Sequence, residues 1–223
     1  MNTEKDKKLK AAVFDLDGVI VNTVPFHFKA WKRMFGEYGK EFTFEDYKKK
    51  VDGIPRLDGA KAILDTLSSS ELQIAAQKKQ GFYREYLNKE KIPVYKSSVK
   101  LIEDLRKYKI KIAVVSSSKN CSYILEKSKL YPLIDVEVNG NEITKGKPNP
   151  QMFLMAAERL KVMPAQCVGF EDAVLGVEAV KRAGMKCVGV DRYQEPHRLK
   201  KADIVVNDLR EINISKLKEL ISS

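Results

Sequence analysis

Two aspartates, Asp15 and Asp17, stand two positions apart at the end of an apolar run, 11–16, and Gly18 follows them. At a strand end that spacing lets both carboxylates converge on one point as the chain turns. One carboxylate can attack phosphorus, while the other protonates the leaving oxygen and then deprotonates the next nucleophile. Gly18 allows the turn to bring backbone close to a ligand. A second acidic pair, Glu171-Asp172, closes the short apolar run 167–170. Clustered carboxylates without a cation would repel and raise one another's pKa. Together with Asp15 and the Asp17 carbonyl, this pair therefore suits Mg²⁺, which prefers carboxylate plus phosphate and keeps several waters. Ser116-Ser117-Ser118-Lys119-Asn120 follows another apolar run and offers a hydroxyl and successive backbone N–H groups for a phosphate cradle. Lys147, between Gly146 and Pro148, adds a fixed positive charge for a transferring phosphoryl group. Each element has a plainer reading as an acidic loop, a helix cap or a surface lysine. Their joint placement at strand ends is what points to one site.

The elements that must position these residues are legible as a pattern. Apolar runs at 11–16, 111–116, 134–138, 167–170, 187–190 and 204–206 read as buried strands. Helical periodicity at 99–108, 123–129, 152–160 and 174–183 lies between most of them, so the fold class is α/β, a doubly wound parallel sheet covered on both faces. Pro150 suits a helix start and Gly184 a helix stop. In such sheets ligands bind beyond the carboxyl ends of the strands, where all the residues above fall. The stretch 25–92 breaks the alternation with helices only, at 26–38, 44–51, 57–67 and 71–88. It reads as an α-helical cap inserted into a core of 1–24 and 93–223.

Composition bounds the alternatives. A chain of 223 residues with 43% hydrophobic and 32% charged residues can bury a full core. No apolar run is long enough to span a membrane, and the lysine-rich start, Met1 to Lys10, is unlike a secretory signal, so a cytoplasmic location is expected. Cys121, Cys167 and Cys187 lack paired spacing and read as buried structural thiols. The net charge of +11 raises nucleic acid as a partner, with a basic nucleic-acid-associated protein on an inactive fold as the rival reading. The lysines are scattered, however, and no RNA-binding signature accompanies them, so no nucleic acid and no membrane partner is expected.

The four elements, in this order at four strand ends, resemble the motif series of the haloacid dehalogenase superfamily over residues 11–209. Within it, FDLDGVIVNT at 14–23, HFKAW at 27–31, VVSSSKN at 114–120, GKPNP at 146–150 and GFEDAVLGVEAVKRAG at 169–184 look like the β-phosphoglucomutase-like branch of hydrolases and mutases. The resemblance implies a Rossmann-like core with a helical cap that opens and closes over the site. It implies Mg²⁺-dependent phosphoryl transfer on a small-molecule sugar phosphate through a phosphoaspartate, by a mutase or alternatively a phosphatase, in a monomer. Carried over, Asp15 is the nucleophile, Asp17 the general acid/base and Thr23 a hinge residue. Ser116, Ser117 and Lys147 hold the transferring phosphate, with Lys119 and Asn120 beside it. Asp15, Asp17, Glu171 and Asp172 form the magnesium site. In the cap, His27 and Lys79 reach the substrate, and Arg56, in a loop with Gly53, grips its distal phosphate. Asp52 stands where the branch typically has lysine.

Overall fold

The computed structural model describes residues 8–223, so the reading of the first residues as no secretory signal falls largely outside the described residues. The chain divides into two compact units: the residues up to Asn22 together with Val94–Ser223, and Thr23–Pro93.

The first unit is built on six parallel strands, β1 (Ala11–Asp15), β2 (Lys111–Val115), β3 (Val136–Val138), β4 (Cys167–Glu171), β5 (Lys186–Val190) and β6 (Ile204–Val206), in the order β3-β2-β1-β4-β5-β6. β1 and β4 are buried along their whole lengths, as strands covered on both faces must be, which is why they read as unbroken apolar runs. The register sets Asp15 beside Val115 and Phe14 beside Phe170, whose rings stack at 4.3 Å. Gly169 lets the helix Val174–Arg182 pack close, since a Cβ there would meet Val180 at 2.6 Å. One face of the sheet presents Ala11, Val13, Ala113 and Val115 to Phe153, Ala156 and Leu160 of the helix Gln151–Leu160 and to Val177 and Val180 of the helix Val174–Arg182. The order runs outward in both directions from the β1/β4 pair, so the carboxyl ends of β1, β2 and β4 lie side by side.

The second unit is all helical. It comprises α1 (Val24–Glu37), α2 (Phe44–Asp46) continued by a π-turn over Tyr47–Val51, α3 (Arg56–Lys61) and α4 (Ser69–Lys89). Its core joins Trp31, Met34 and Phe35 of α1 to Phe42, Tyr47, Val51, Ala60, Leu72, Ala75 and Ala76. Ser68 and Glu71 form a reciprocal cap at the start of α4. The chain leaves and re-enters the first unit at neighbouring points: Val21 bridges Val94 in antiparallel fashion, and Tyr95 N donates to Ile20 O at 2.9 Å.

Two expectations need correction. The helix expected over 57–67 ends at Lys61, because the backbone tightens into turns before Ser68 caps α4. A terminal helix over Ile214–Ser222 was not anticipated. Asn213 caps it and Leu217, Leu220 and Ile221 form its buried stripe. No helix among the described residues is long and apolar enough to cross a membrane.

Candidate active site

Asp15 ends β1 with 4% of its surface exposed, and its Oδ1 accepts from Lys147 Nζ at 2.6 Å. Lys147 also pairs with Glu171, the last residue of β4, which is fully buried. The other Glu171 oxygen, Oε2, accepts from Ala173 N at 3.0 Å. Three buried charges thus meet at two adjacent strand ends. Burial pushes the Asp15 carboxyl well up. Lys147 opposes that shift, while Glu171 and Asp17 add to it. Burial alone would lower the Lys147 ammonium, but the carboxylates of Asp15 and Glu171 outweigh it and hold Lys147 above its ordinary value. The lysine is therefore a permanent cation.

Asp17 lies two residues past the strand, and its Oδ2 accepts from Ser116 Oγ at 3.1 Å. Ser116 is buried at the end of β2, and its hydroxyl also accepts from Ser118 N at 3.0 Å. Ser118 Oγ in turn accepts from Asn120 N at 3.1 Å, so the loop is folded by its own hydroxyls. Ser117 and Lys119 are exposed on that loop, while Asn120 is buried. Gly140 matters to its shape, because a Cβ there would collide with the Ser117 carbonyl. Gly18 adopts φ +84°, and a Cβ on it would collide with the Asp172 carboxylate. Asp172 therefore sits against the turn that carries Asp17.

The fit to a magnesium ion follows from this donor set. Among the described residues no three His, Cys, Asp or Glu side chains form a ready-made cage. Mg²⁺ needs only one or two carboxylates, completed by water and substrate phosphate. Asp15, the Asp17 carbonyl and Asp172 meet that requirement. A divalent cation beside Asp15 would also reverse the upward push on its carboxyl.

In the helical unit, His27 and Lys79 come together: Lys79 Nζ donates to His27 Nδ1 at 2.8 Å. Burial first, and then the Lys79 charge, keep the imidazole well below its usual pKa, so His27 is neutral and its Nε2 is left as the donor. The His27 ring stacks on Tyr83 at 4.0 Å, and Lys79 Nζ lies 5.0 Å from the Trp31 centroid. Gly53 takes φ +69° in the turn before α3. Arg56 opens α3, half-buried, and its Nη1 donates to Gln80 Oε1 at 2.6 Å. Gln80, Tyr83 and Gly140 were not singled out in the sequence. Gln80 is one of several polar positions on α4, and Tyr83 falls on its buried stripe, where core packing is the plain reading, whereas the Asn-Gly pair at 139–140 could have marked a close turn.

The chain matches the haloacid dehalogenase-like hydrolase family over residues 12–190. It is 33% identical over 218 residues to a β-phosphoglucomutase of Bacillus subtilis, covering 95% of each chain. It is 34% identical over 186 residues to a phosphorylated carbohydrates phosphatase of Thermotoga maritima, covering 80% of this chain and 83% of that one. Among solved structures it resembles a β-phosphoglucomutase from Clostridium difficile with a TM-score of 0.86 at 29% identity, covering 96% and 97% of the two chains.

Proposed function

The chain belongs to the haloacid dehalogenase-like hydrolases and is a phosphotransferase or phosphatase of that family; from that premise we propose that it transfers the phosphoryl group of a sugar phosphate through an aspartyl phosphate on Asp15. The observation that carries the reading is the Asp15–Lys147 pair at the carboxyl end of the central strand, with Asp17 hydrogen-bonded to Ser116 beside it. Lys147 holds Oδ1, which leaves Asp15 Oδ2 to attack phosphorus along a line opposite the leaving oxygen. Ser116, Ser117 and Lys147 receive the phosphoryl oxygens, and Lys119 and Asn120 flank them. Asp17 gives its proton to the departing sugar oxygen and takes one from the next acceptor. Asp15, the Asp17 carbonyl and Asp172 would hold Mg²⁺, with Glu171 completing the site from beside Lys147. When bound, the ion screens the charge between carboxylate and phosphate and stabilises the charge that develops in transfer.

The acceptor is a second sugar hydroxyl in the mutase reading, which Arg56 favours. A guanidinium oriented by the neutral Gln80 amide keeps its charge and its planar fork for a distal phosphate. His27, Gly53 and Lys79 take the rest of the sugar phosphate in this reading. Water as acceptor is the second reading. Asp52, four positions before Arg56, favours it by opposing a doubly phosphorylated intermediate. The relatives named above include both kinds of enzyme.

The test is the fate of phosphate in purified protein. Wild type with Mg²⁺ should turn over sugar phosphates, exhaustive chelation should abolish turnover, and Asp15→Asn should lose at least about a thousandfold while unfolding at nearly the same temperature. Activity surviving in Asp15→Asn beyond a few per cent would remove the nucleophile assignment. Full activity after chelation would remove the metal.

A further inference from the structure

Asp17 is carried by a tight turn, and the carbonyls of that turn are held from outside by side chains that no part of the chemistry above uses. Gly18 N donates to Val21 O at 2.8 Å, and Ile20 N and Val21 N both reach Leu16 O at 3.0 Å. These bonds close the turn on its inner side and leave the Gly18 and Val19 carbonyls pointing outward. Arg192, just past β5, donates through Nε to Gly18 O at 2.7 Å and through Nη2 to Val19 O at 3.3 Å. Val19 O also accepts from the buried hydroxyl of Ser98 at 2.6 Å. The guanidinium itself is fixed. Its Cζ lies 3.7 Å from the centroid of the Tyr95 ring, and Nη1 reaches Asn207 O at 3.4 Å.

We propose that Arg192 is a positioning residue for Asp17, a proposal that rests on the acid/base role proposed for that aspartate. The peptide planes that Arg192 holds belong to Gly18 and Val19. Gly18 sits at φ +84°, a conformation it keeps at no steric cost but with nothing in its own side chain to enforce it. A glycine in that region also reaches other conformations easily, so the turn needs an external constraint. A planar fork that bonds two successive carbonyls supplies one: it fixes the Gly18–Val19 and Val19–Ile20 peptides, and so constrains, across the Gly18 Cα, the adjoining Asp17–Gly18 peptide, whose N–H bonds Val21 O. That peptide sets both the direction of the Asp17 carboxylate towards Ser116 and the direction of the Asp17 carbonyl. Gly18 also abuts the Asp172 carboxylate, so a loosened turn would disturb the acid and the neighbouring carboxylate together. Lysine at 192 could reach one carbonyl but not hold two in a plane.

If Arg192 acts through Asp17, its loss should reproduce the signature of a mispositioned acid rather than that of a weakened fold. A poor leaving group depends on the acid, while an activated aryl phosphate leaves without it. Arg192→Ala, Arg192→Lys and Asp17→Asn would be assayed with Mg²⁺ on p-nitrophenyl phosphate and on a hexose 1-phosphate. In Arg192→Ala the hexose phosphate rate should fall roughly tenfold further than the aryl phosphate rate, in kcat rather than KM, with Arg192→Lys between it and wild type. Deuterium exchange of the amides of residues 18–21 should quicken in Arg192→Ala, with the amides of β1 and β4 unchanged. Equal losses on the two substrates, or quickened exchange spread over the whole sheet, would overturn the proposal and leave Arg192 an ordinary structural residue. If Asp17→Asn shows the leaving-group difference and Arg192→Ala does not, the Arg192 assignment fails alone. If Asp17→Asn shows none, the acid role fails first and this proposal with it.

Discussion

Among the described residues two lysines are buried, one in each unit, and they are accommodated by different chemistry. Lys147 in the core has carboxylates on either side, Asp15 at 2.6 Å and Glu171 opposite. Lys79 in the helical unit meets a neutral imidazole nitrogen at 2.8 Å and lies about 5 Å from two aromatic centroids, those of Trp31 and Tyr83. The first arrangement makes the cation the centre of a charge cluster that depends on it. Removing it leaves two carboxylates facing each other in a dry place, whereas Asp15→Asn keeps the Lys147–Glu171 pair. The second makes the cation one member of a stack, where rings and an imidazole do the holding and an apolar side chain of similar length could fill the same space. The core cluster therefore depends on charge balance, whereas the surroundings of Lys79 include an imidazole and two aromatic rings.

The sharpest way to break this comparison is at Lys147. Lys147→Ala should remove turnover and cost about 3–5 kcal/mol of stability, since Asp15 and Glu171 would be left as facing carboxylates. Chemical denaturation of the purified variant measures this, and a loss below about 1 kcal/mol would mean the cluster is not held by charge. Arg56→Ala should have a smaller and more selective effect. In the mutase reading it should lower isomerisation of glucose 1-phosphate by roughly a hundredfold while release of phosphate from an aryl ester changes little. Time courses following isomer and free phosphate together decide this, and steady phosphate release with no isomer in the wild type would establish the phosphatase reading instead. The smallest effect belongs to Lys79→Met. Methionine can lie against Trp31 and Tyr83, so stability should change by less than about 2 kcal/mol. A thermal melt showing collapse of the helical unit would erase the distinction between the two lysines.

The two sites also differ in how far the sequence disclosed them. Asp15, Ser116 and Glu171 each end a short apolar run, and a parallel sheet gathers such ends along one edge, so periodicity alone was enough to group them. The helical insert was legible as a break in the strand–helix alternation. Its polar residues were not. Lys79 falls on the stripe Leu72, Ala75, Ala76, Lys79, Tyr83, Leu87 of α4, where a lysine contradicts the apolar pattern. Only the resemblance gave it a role. Gln80, its neighbour, was missed because an amide partner leaves no spacing to read. Arg192 was visible as a charged residue past the end of β5, but its bonds run to backbone carbonyls of residues far away in sequence. Local pattern carries no record of such contacts. The terminal helix went unnoticed for a related reason: its three buried side chains are few, and they are spread among lysines and serines.

The bridge between Val21 and Val94 has a consequence for the history of such a chain. Because departure and return are side by side, the whole of Thr23–Pro93 is, to the sheet, a single loop on an already closed hairpin. The entropy of closing a loop grows only logarithmically, by about 0.6 kcal/mol for each doubling of length. Material can therefore be lengthened, shortened or exchanged at that junction with little penalty to the six strands. The Asp15–Lys147 pair at the strand ends can therefore stay in place while the insert varies.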